Sequence, residues 1–318
     1  MIVLWSLVGV AAFLAVASLV AAFICFYRIF YSPRLADMEA YPIPEGEIYE
    51  PYRDQMVAYI KAADKMPHKC FAIRSFDGLT LRGKYYEYKK GAPIEIMFHG
   101  YRGSARRDMS GGIHRSFSVG HNALVVDHRG SGESDGHVIT FGVRESRDCL
   151  LWRDLVLREI DPGAKIILTG ISMGAATVMI AAADEHPENV VGVLADCGYT
   201  SARAIIKKVI REMGLPADLL YPFARLGARL FGGFDPDERA PVESMKRSRL
   251  PVIFFHGDTD DFVPYEMSEE NCEACVTEKR LVKIDGAGHG LCFVRDPERY
   301  VAALREFFDP LTGTDYNQ

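Results

Sequence analysis

Charge is missing from the start of this 318-residue chain: Met1 to Tyr27 (MIVLWSLVGVAAFLAVASLVAAFICFY) holds no Asp, Glu, Lys or Arg. A helix rising about 1.5 Å per residue over that length exceeds the ~30 Å hydrocarbon core of a bilayer. A helix of a soluble core has no need of apolar residues around its whole circumference. Basic residues ahead of the run are also lacking, and the run is longer than the apolar core of a secretion signal, which argues against a cleaved leader. Residues 1–30 are therefore expected to be an uncleaved single-pass anchor in contact with membrane lipid. Trp5 near one end and Tyr27, Phe30 and Tyr31 near the other suit the two interfaces. Arg28 and Arg34 follow the run and nothing basic precedes it but the amino terminus. The positive-inside rule then puts the rest of the chain in the cytoplasm.

Cysteine is scarce and odd in number, seven in all, which excludes a disulfide scaffold and suits free thiols in a reducing compartment. A basic excess is lacking too: the net charge of −6 argues against a nucleic-acid partner. No histidine falls in HExxH or a similar ligand spacing, and Cys272-Glu273-Ala274-Cys275 is a lone CxxC, so it reads as structural. Neither a metal nor a cofactor is expected. No internal repeat is visible, and oligomeric state is left open.

What is present is a chain 48% hydrophobic and 25% charged, enough for a full globular core. Residues 31–68, rich in Pro, Glu and Tyr, read as a tether with a short helix around Gln55–Ala63. The body is residues 69–318. It opens with CFAIRSF and TLRGKYYEY about the turn Asp77-Gly78, a β-hairpin. Six short apolar runs follow: IEIMFHG, ALVVDHRG, KIILTG, VVGVLAD, LPVIFFHG and RLVKIDG. Such runs suit strands buried on both faces, and the helical patterns between them predict an α/β fold with a mostly parallel sheet flanked by helices. Chemistry in such sheets sits at the carboxyl ends of the strands.

There the motif Gly170-Ile171-Ser172-Met173-Gly174 joins a strand to an Ala-rich helix. A sharp strand-to-helix turn strains the central residue, admits only small neighbours and lifts the serine hydroxyl clear of the sheet. A serine nucleophile needs a base, and the base an orienting acid. Downstream, LPVIFFHGDTDDFVP ends in Asp258, Asp260 and Asp261, and RLVKIDGAGHG carries His289 between two glycines. The chain order serine, aspartate, histidine differs from that of the chymotrypsin and subtilisin types.

HGxxDxxVP followed about thirty residues later by GxGH resembles the last two sheet strands of α/β-hydrolases. The resemblance implies Ser172 as nucleophile, Asp260 as acid and His289 as base. It also implies an oxyanion hole made by the backbone N–H groups of Tyr101, in the loop His99-Gly100-Tyr101-Arg102-Gly103, and of Met173. His99 itself is expected to hydrogen-bond within that loop. ALVVDHRGSGES matches the family's D-x-R-G-x-G-x-S, with Asp127, Arg129 and Ser134 in structural roles. ADCGYTS, followed by a helical insertion, resembles the membrane-anchored bacterial BEM46- and ABHD13-like serine hydrolases. The similarity spans roughly residues 69–308.

Residues 200–249 are expected to form a helical cap, with ten Lys/Arg against six Asp/Glu. In LLYPFARLGARLF the apolar spacing suits a helix that closes the pocket, and its face, with Arg225 and Arg229, would also touch anionic lipid. The expected activity is hydrolysis of carboxylic esters, lipid-type esters or thioesters through an acyl-enzyme, with a small acyl compound as substrate. A peptidase of the same fold is the alternative, and a non-enzymatic binding or sensor protein the third reading.

Overall fold

The computed structural model describes residues 1–33 and 41–313; Arg34 lies outside them. The chain runs α1 (Ile2–Ile29), α2 (Arg53–Lys65), β1 (Lys69–Arg74), β2 (Thr80–Tyr86), β3 (Ile94–Phe98), α3 (Ala105–Ser118), β4 (Asn122–Val126), α4 (Glu145–Leu155), β5 (Ile166–Ile171), α5 (Met173–Ala181) and β6 (Val190–Asp196). The insertion follows with α6 (Ala202–Glu212), α7 (Ala217–Gly227) and α8 (Pro241–Met245). Then come β7 (Val252–Gly257), α9 (Tyr265–Ala274), β8 (Lys279–Ile284), α10 (Cys292–Arg295) and α11 (Pro297–Thr312).

The eight strands form one sheet in the order β1-β2-β4-β3-β5-β6-β7-β8. β1 pairs β2 and β2 pairs β4 antiparallel, and every later pairing is parallel. The strands expected from the hairpin and the six apolar runs are these eight. Alternation sorts their side chains to two faces. Ile166, Leu168 and Phe254 meet Trp152 and Met179 on one side, while Ile167, Ile253 and Phe255 meet Tyr300, Leu304 and Phe308 on the other. Truncating a buried aromatic such as Trp152 removes about 3–5 kcal/mol of stability.

One buried carboxylate interrupts the apolar layers. Glu95 of β3 pairs with Arg115 of α3, lies 3.0 Å from His121 Nδ1 and accepts a 2.9 Å hydrogen bond from Thr169 Oγ1. Burial pushes its carboxyl up, but the Arg115 charge and the hydrogen bonds from His121 and Thr169 outweigh this and hold it at about 2.

Two segments outside the sheet bear on the site. Residues Glu47–Tyr52 form a tight helical turn that leads into α2. Ile60 and Ala63 of α2 are buried, its Tyr59 ring packs on His114, and Asp64 pairs with Arg106 of α3 at 2.8 Å. α1 is exposed from Val3 to Ala17, but Ala22, Phe26 and Phe30 are buried, and Ser18, Ala21, Cys25 and Ile29 partly so. That stripe, at spacings of three and four, lies along α7 and the π-helical turn Ala228–Gly232 that continues it. A Cβ on Gly227 would collide with the Ala22 carbonyl, so glycine is what lets the two backbones approach.

Candidate active site

Ser172 stands between β5 and α5 with φ 55° and ψ −115°, a conformation non-glycine residues rarely adopt. Its N–H donates to the Asp196 carbonyl at 2.8 Å, which holds the strained turn to β6. A Cβ on Gly170 would collide with Gly174, and one on Gly174 with the Phe98 carbonyl. Both motif glycines are thus steric necessities, and the hydroxyl between them is displayed at the carboxyl end of the sheet.

The loop after β8 brings His289 to it. His289 Nε2 lies 2.9 Å from Ser172 Oγ, and His289 Nδ1 lies 2.7 Å from Asp260 Oδ2. A carboxylate only accepts, so Nδ1 carries the proton and Nε2 is left to accept from the serine hydroxyl. Asp260, in the loop after β7, is buried and has all its lone-pair directions engaged. Oδ1 accepts from the backbone N–H groups of Phe262 and Val263 at 3.0 and 2.8 Å. Oδ2 serves His289 and also lies 3.2 Å from His256 Nε2. Burial pushes the Asp260 carboxyl up, but the hydrogen bonds from His256 and His289 outweigh it and hold it well below the usual carboxylate range. The two rival acids are both exposed; the Asp258 carboxylate accepts from Gly286 N–H at 2.6 Å, and at Asp261 it is the backbone carbonyl that accepts from the Lys208 ammonium.

The loop after β3 flanks the serine, since a Cβ on Gly100 would sit 3.6 Å from Ser172 Cβ. Among the described residues neither the Tyr101 nor the Met173 N–H donates to a protein acceptor. Gly100 N–H donates to Asp108 Oδ2 at 3.1 Å, which pins the loop to α3. His99 faces inward: its Nε2 accepts from His128 N–H at 3.0 Å, so its Nδ1 donates to the Gly100 carbonyl at 2.7 Å. The motif after β4 is a scaffold. Asp127 accepts from Ala105 and Glu133 N–H, Ser134 Oγ donates to the Asp127 carbonyl, and Arg129 is buried between Asp77 and Asp148.

Three neighbours of His289 were given no role by the sequence. His256, two residues ahead of Asp258 on β7, is fully buried; its Nδ1 lies 2.6 Å from Ser268 Oγ and its Nε2 2.8 Å from the Val263 carbonyl. It braces the Asp260 turn, and its place in His256-Gly257 was the available signal. Tyr49, from the segment ahead of α2, donates to the His289 carbonyl at 3.0 Å. Cys197 is buried at φ 46° and groups with Asp260 and His289, their ligand-type atoms within 4.8 Å of one another. The latter two are already bonded to each other, and burial pushes the Cys197 thiol well above its usual range, so it stays neutral. Cys272 and Cys275 are free thiols, and Cys275 Sγ lies 3.3 Å from Thr277 Oγ1.

Beside the serine, Met173, Tyr101, Phe141, Tyr199 and Val263 join Ile205 and Ile206 of α6 and Phe26 and Phe30 at the end of α1 in one apolar cluster. Phe262, half exposed, stands edge-on to the His289 ring at 5.0 Å, with the Lys208 ammonium over its other side. A serine hydroxyl bonded to an imidazole nitrogen, beside two backbone amides and an apolar wall, can transfer its proton and accept an acyl group.

Known proteins share this architecture. The chain is 25% identical over 252 residues to the protein YqkD of Bacillus subtilis, covering 79% of this chain and 82% of that one. Among solved structures, the Pyrococcus furiosus esterase Pf2001 superposes with a TM-score of 0.67 at 20% identity, over 90% of this chain and 99% of the esterase. A puromycin-hydrolyzing peptidase of Mycobacterium tuberculosis superposes at 0.59 and 17% identity, over 79% of this chain and 40% of the peptidase. Residues 96–303 match the family model described as alpha/beta hydrolase, and with the eight-stranded sheet beneath them this chain belongs to that family.

Proposed function

We propose that this protein is a serine hydrolase of carboxylic acyl esters, thioesters included, working through an acyl-enzyme. The observation that carries the reading is the continuous hydrogen-bonded chain Ser172–His289–Asp260, at 2.9 and 2.7 Å. Ser172 Oγ attacks the acyl carbon while His289 Nε2 takes its proton, and Asp260 holds the tautomer and stabilises the imidazolium. The oxyanion of the tetrahedral intermediate accepts from the Tyr101 and Met173 amides, each worth on the order of 10²–10³ in rate. His289 then protonates the leaving alcohol or thiol. Water attacks the acyl-serine by the same route and frees the acid.

α1 is read as the membrane anchor. It is an apolar helix long enough to span, at a mean hydropathy of 2.7, and only 6% of its most apolar window is buried. The catalytic domain then lies on the side where Arg28 and Arg34 follow the helix, the cytoplasm.

A fluorophosphonate probe tests the chemistry directly: it should label the full-length protein on Ser172 and fail to label Ser172→Ala. An adduct on another serine sinks the assignment. The same protein offered acyl esters of rising chain length and aminoacyl amides separates esterase from peptidase. The peptidase reading rests on the fold shared with the puromycin-hydrolyzing enzyme, and preferential cleavage of the amides would establish it.

A further inference from the structure

We infer that the α6–α7 end of the cap is itself a membrane-docking surface, seated against lipid beside the anchor. This rests on the reading of α1 as a spanning helix. Depth is set by the register of the two helices. Phe30 meets Phe234 at 5.3 Å, Phe26 meets Phe231 at 5.8 Å, Phe23 meets Phe231 at 5.3 Å, and Gly227 lies against Ala22. Both chains therefore climb together, and α7 runs from Gly227 back toward Ala217 in the direction of the anchor's amino terminus. Arg28, the first charge after the span, belongs at the headgroups. Ala22 is six residues deeper, about 9 Å along the helix axis, more than the ~5–8 Å that one headgroup layer adds to the hydrocarbon core. The part of α7 at and beyond Gly227 is thus level with lipid.

The surface there fits that place. Leu219, Leu226 and Leu230 recur at spacings of seven and four, one face of a helix, and are 61%, 37% and 54% exposed. Phe231, 43% exposed, continues this ridge onto Phe23 of α1. Beside the ridge, Arg203, Lys207, Arg225 and Arg229 line a groove of about 590 Å³ with Asp218, Tyr221, Pro222 and Leu226, and ion pairs with Asp237, Asp218 and Asp235 hold all four cations. An apolar ridge flanked by paired charges suits a helix that meets lipid, leucines among the acyl chains and no cation left unpaired beside them. The ion pairs of Asp218 with Lys207 and Arg211 lower the cost of carrying charge at this end. The site beneath the cap would then draw its acyl substrate from the bilayer, which makes a lipid-borne ester its substrate class.

Brominated lipid tests the placement. Full-length protein in a Trp5→Phe background, reconstituted in phosphatidylcholine–phosphatidylglycerol nanodiscs with acyl-brominated lipid, would carry one added tryptophan at a time: Leu14→Trp, Leu219→Trp, Leu226→Trp or Val276→Trp. Emission from positions 14, 219 and 226 should be largely lost, while that from position 276 and from buried Trp152 persists. Quenching at 14 with none at 219 or 226 overturns the docking alone. No quenching at 14 overturns the anchor reading, and the docking with it. Protection at 219 that grows with protein-to-lipid ratio assigns the ridge to a second copy of the chain, which also overturns it. As a functional arm, Leu219→Glu and Leu230→Glu should slow hydrolysis of a long-chain ester held in vesicles by about tenfold, the factor given by losing one leucine's transfer free energy. They should leave hydrolysis of a short water-soluble ester unchanged, and equal loss on both substrates counts against docking.

Discussion

The surroundings of His289 and the contact of α1 with α7 differ in what holds them. Around His289 the contacts are largely between polar atoms: Asp260 takes four donors, His256 donates from Nε2 and accepts from the Ser268 hydroxyl at Nδ1, and the His289 carbonyl accepts from the Tyr49 hydroxyl. Where α1 meets α7, almost all is apolar surface, five phenylalanines with small residues between them. Polar geometry is decided atom by atom, so a one-atom change there should abolish turnover and spare the fold. Apolar contact is decided by volume, so a change of size there should loosen the fold and spare turnover.

Five substitutions, with two neighbouring acids as controls, press on that contrast. Ser172→Ala should lower kcat by on the order of 10⁴–10⁶ with an unchanged thermal midpoint, measured on a short ester and by calorimetry. Asp260→Asn should lower kcat by about 10⁴ by favouring the wrong tautomer of His289. Asp258→Asn and Asp261→Asn should stay near wild type, and a crippled Asp258→Asn would mean the acid has been misplaced.

Glu95 belongs to neither region and tests whether polar networks matter for folding when they lie away from the serine. Its folded value of about 2 lies below the ~4.3 of an unfolded glutamate. The stability it adds is therefore full above that unfolded value and is lost as pH falls through the folded one. It amounts to about 3 kcal/mol. Urea midpoints should hold steady above pH ~5 and fall between pH ~4 and ~2. Asp260, also held low, adds in the same direction. Glu95→Gln should flatten that fall and lower the neutral plateau, because buried Arg115 loses its counter-charge. A fall of unchanged depth in Glu95→Gln would show that other carboxylates govern it.

On the apolar side, Gly227→Leu has to displace the Ala22 backbone and should destabilise the full-length protein by about 1–3 kcal/mol. Activity on a soluble ester should survive below the lowered midpoint; an equal loss of kcat at low temperature would erase the contrast. Smallest of all, Tyr49→Phe removes one hydroxyl from the His289 carbonyl. It should cost about 0.5–1.5 kcal/mol, several-fold in kcat with KM unmoved; a change in KM alone would place Tyr49 at the substrate instead.

The polar region was the more legible of the two in sequence. Gly170, Ser172 and Gly174 could be recognised because a sharp turn tolerates so few residue types, β1 and β2 because the Asp77-Gly78 turn joins them, and the six later strands because they read as short apolar runs. The choice among Asp258, Asp260 and Asp261 needed the family resemblance, since three acids in one loop are equivalent until two backbone N–H groups select one. Tyr49 was out of reach: its partner is 240 residues away, and one tyrosine in a Pro- and Glu-rich segment has no period to betray it. The α1–α7 contact was hidden for the opposite reason. A helix apolar on every side shows no contrast, so the stripe from Ser18 to Phe30 looks like the exposed residues beside it.

The last turn of α1 does more than end a helix. The Tyr101 hydroxyl donates to the Ile29 carbonyl at 2.6 Å, Arg102 Nη2 donates to the carbonyls of Arg28 and Tyr31, and Ile139 N–H donates to the Phe30 carbonyl at 2.9 Å. The loop that flanks Ser172 is thereby fastened to α1 itself, with no slack between them. For a chain held in a membrane by α1, this removes the swinging arc that a flexible stalk would give. Such a catalyst would keep one height and one tilt, and search by lateral diffusion in two dimensions. Its rate would then follow the mole fraction of substrate in the leaflet rather than bulk concentration, and dilution of the vesicles should leave it unchanged.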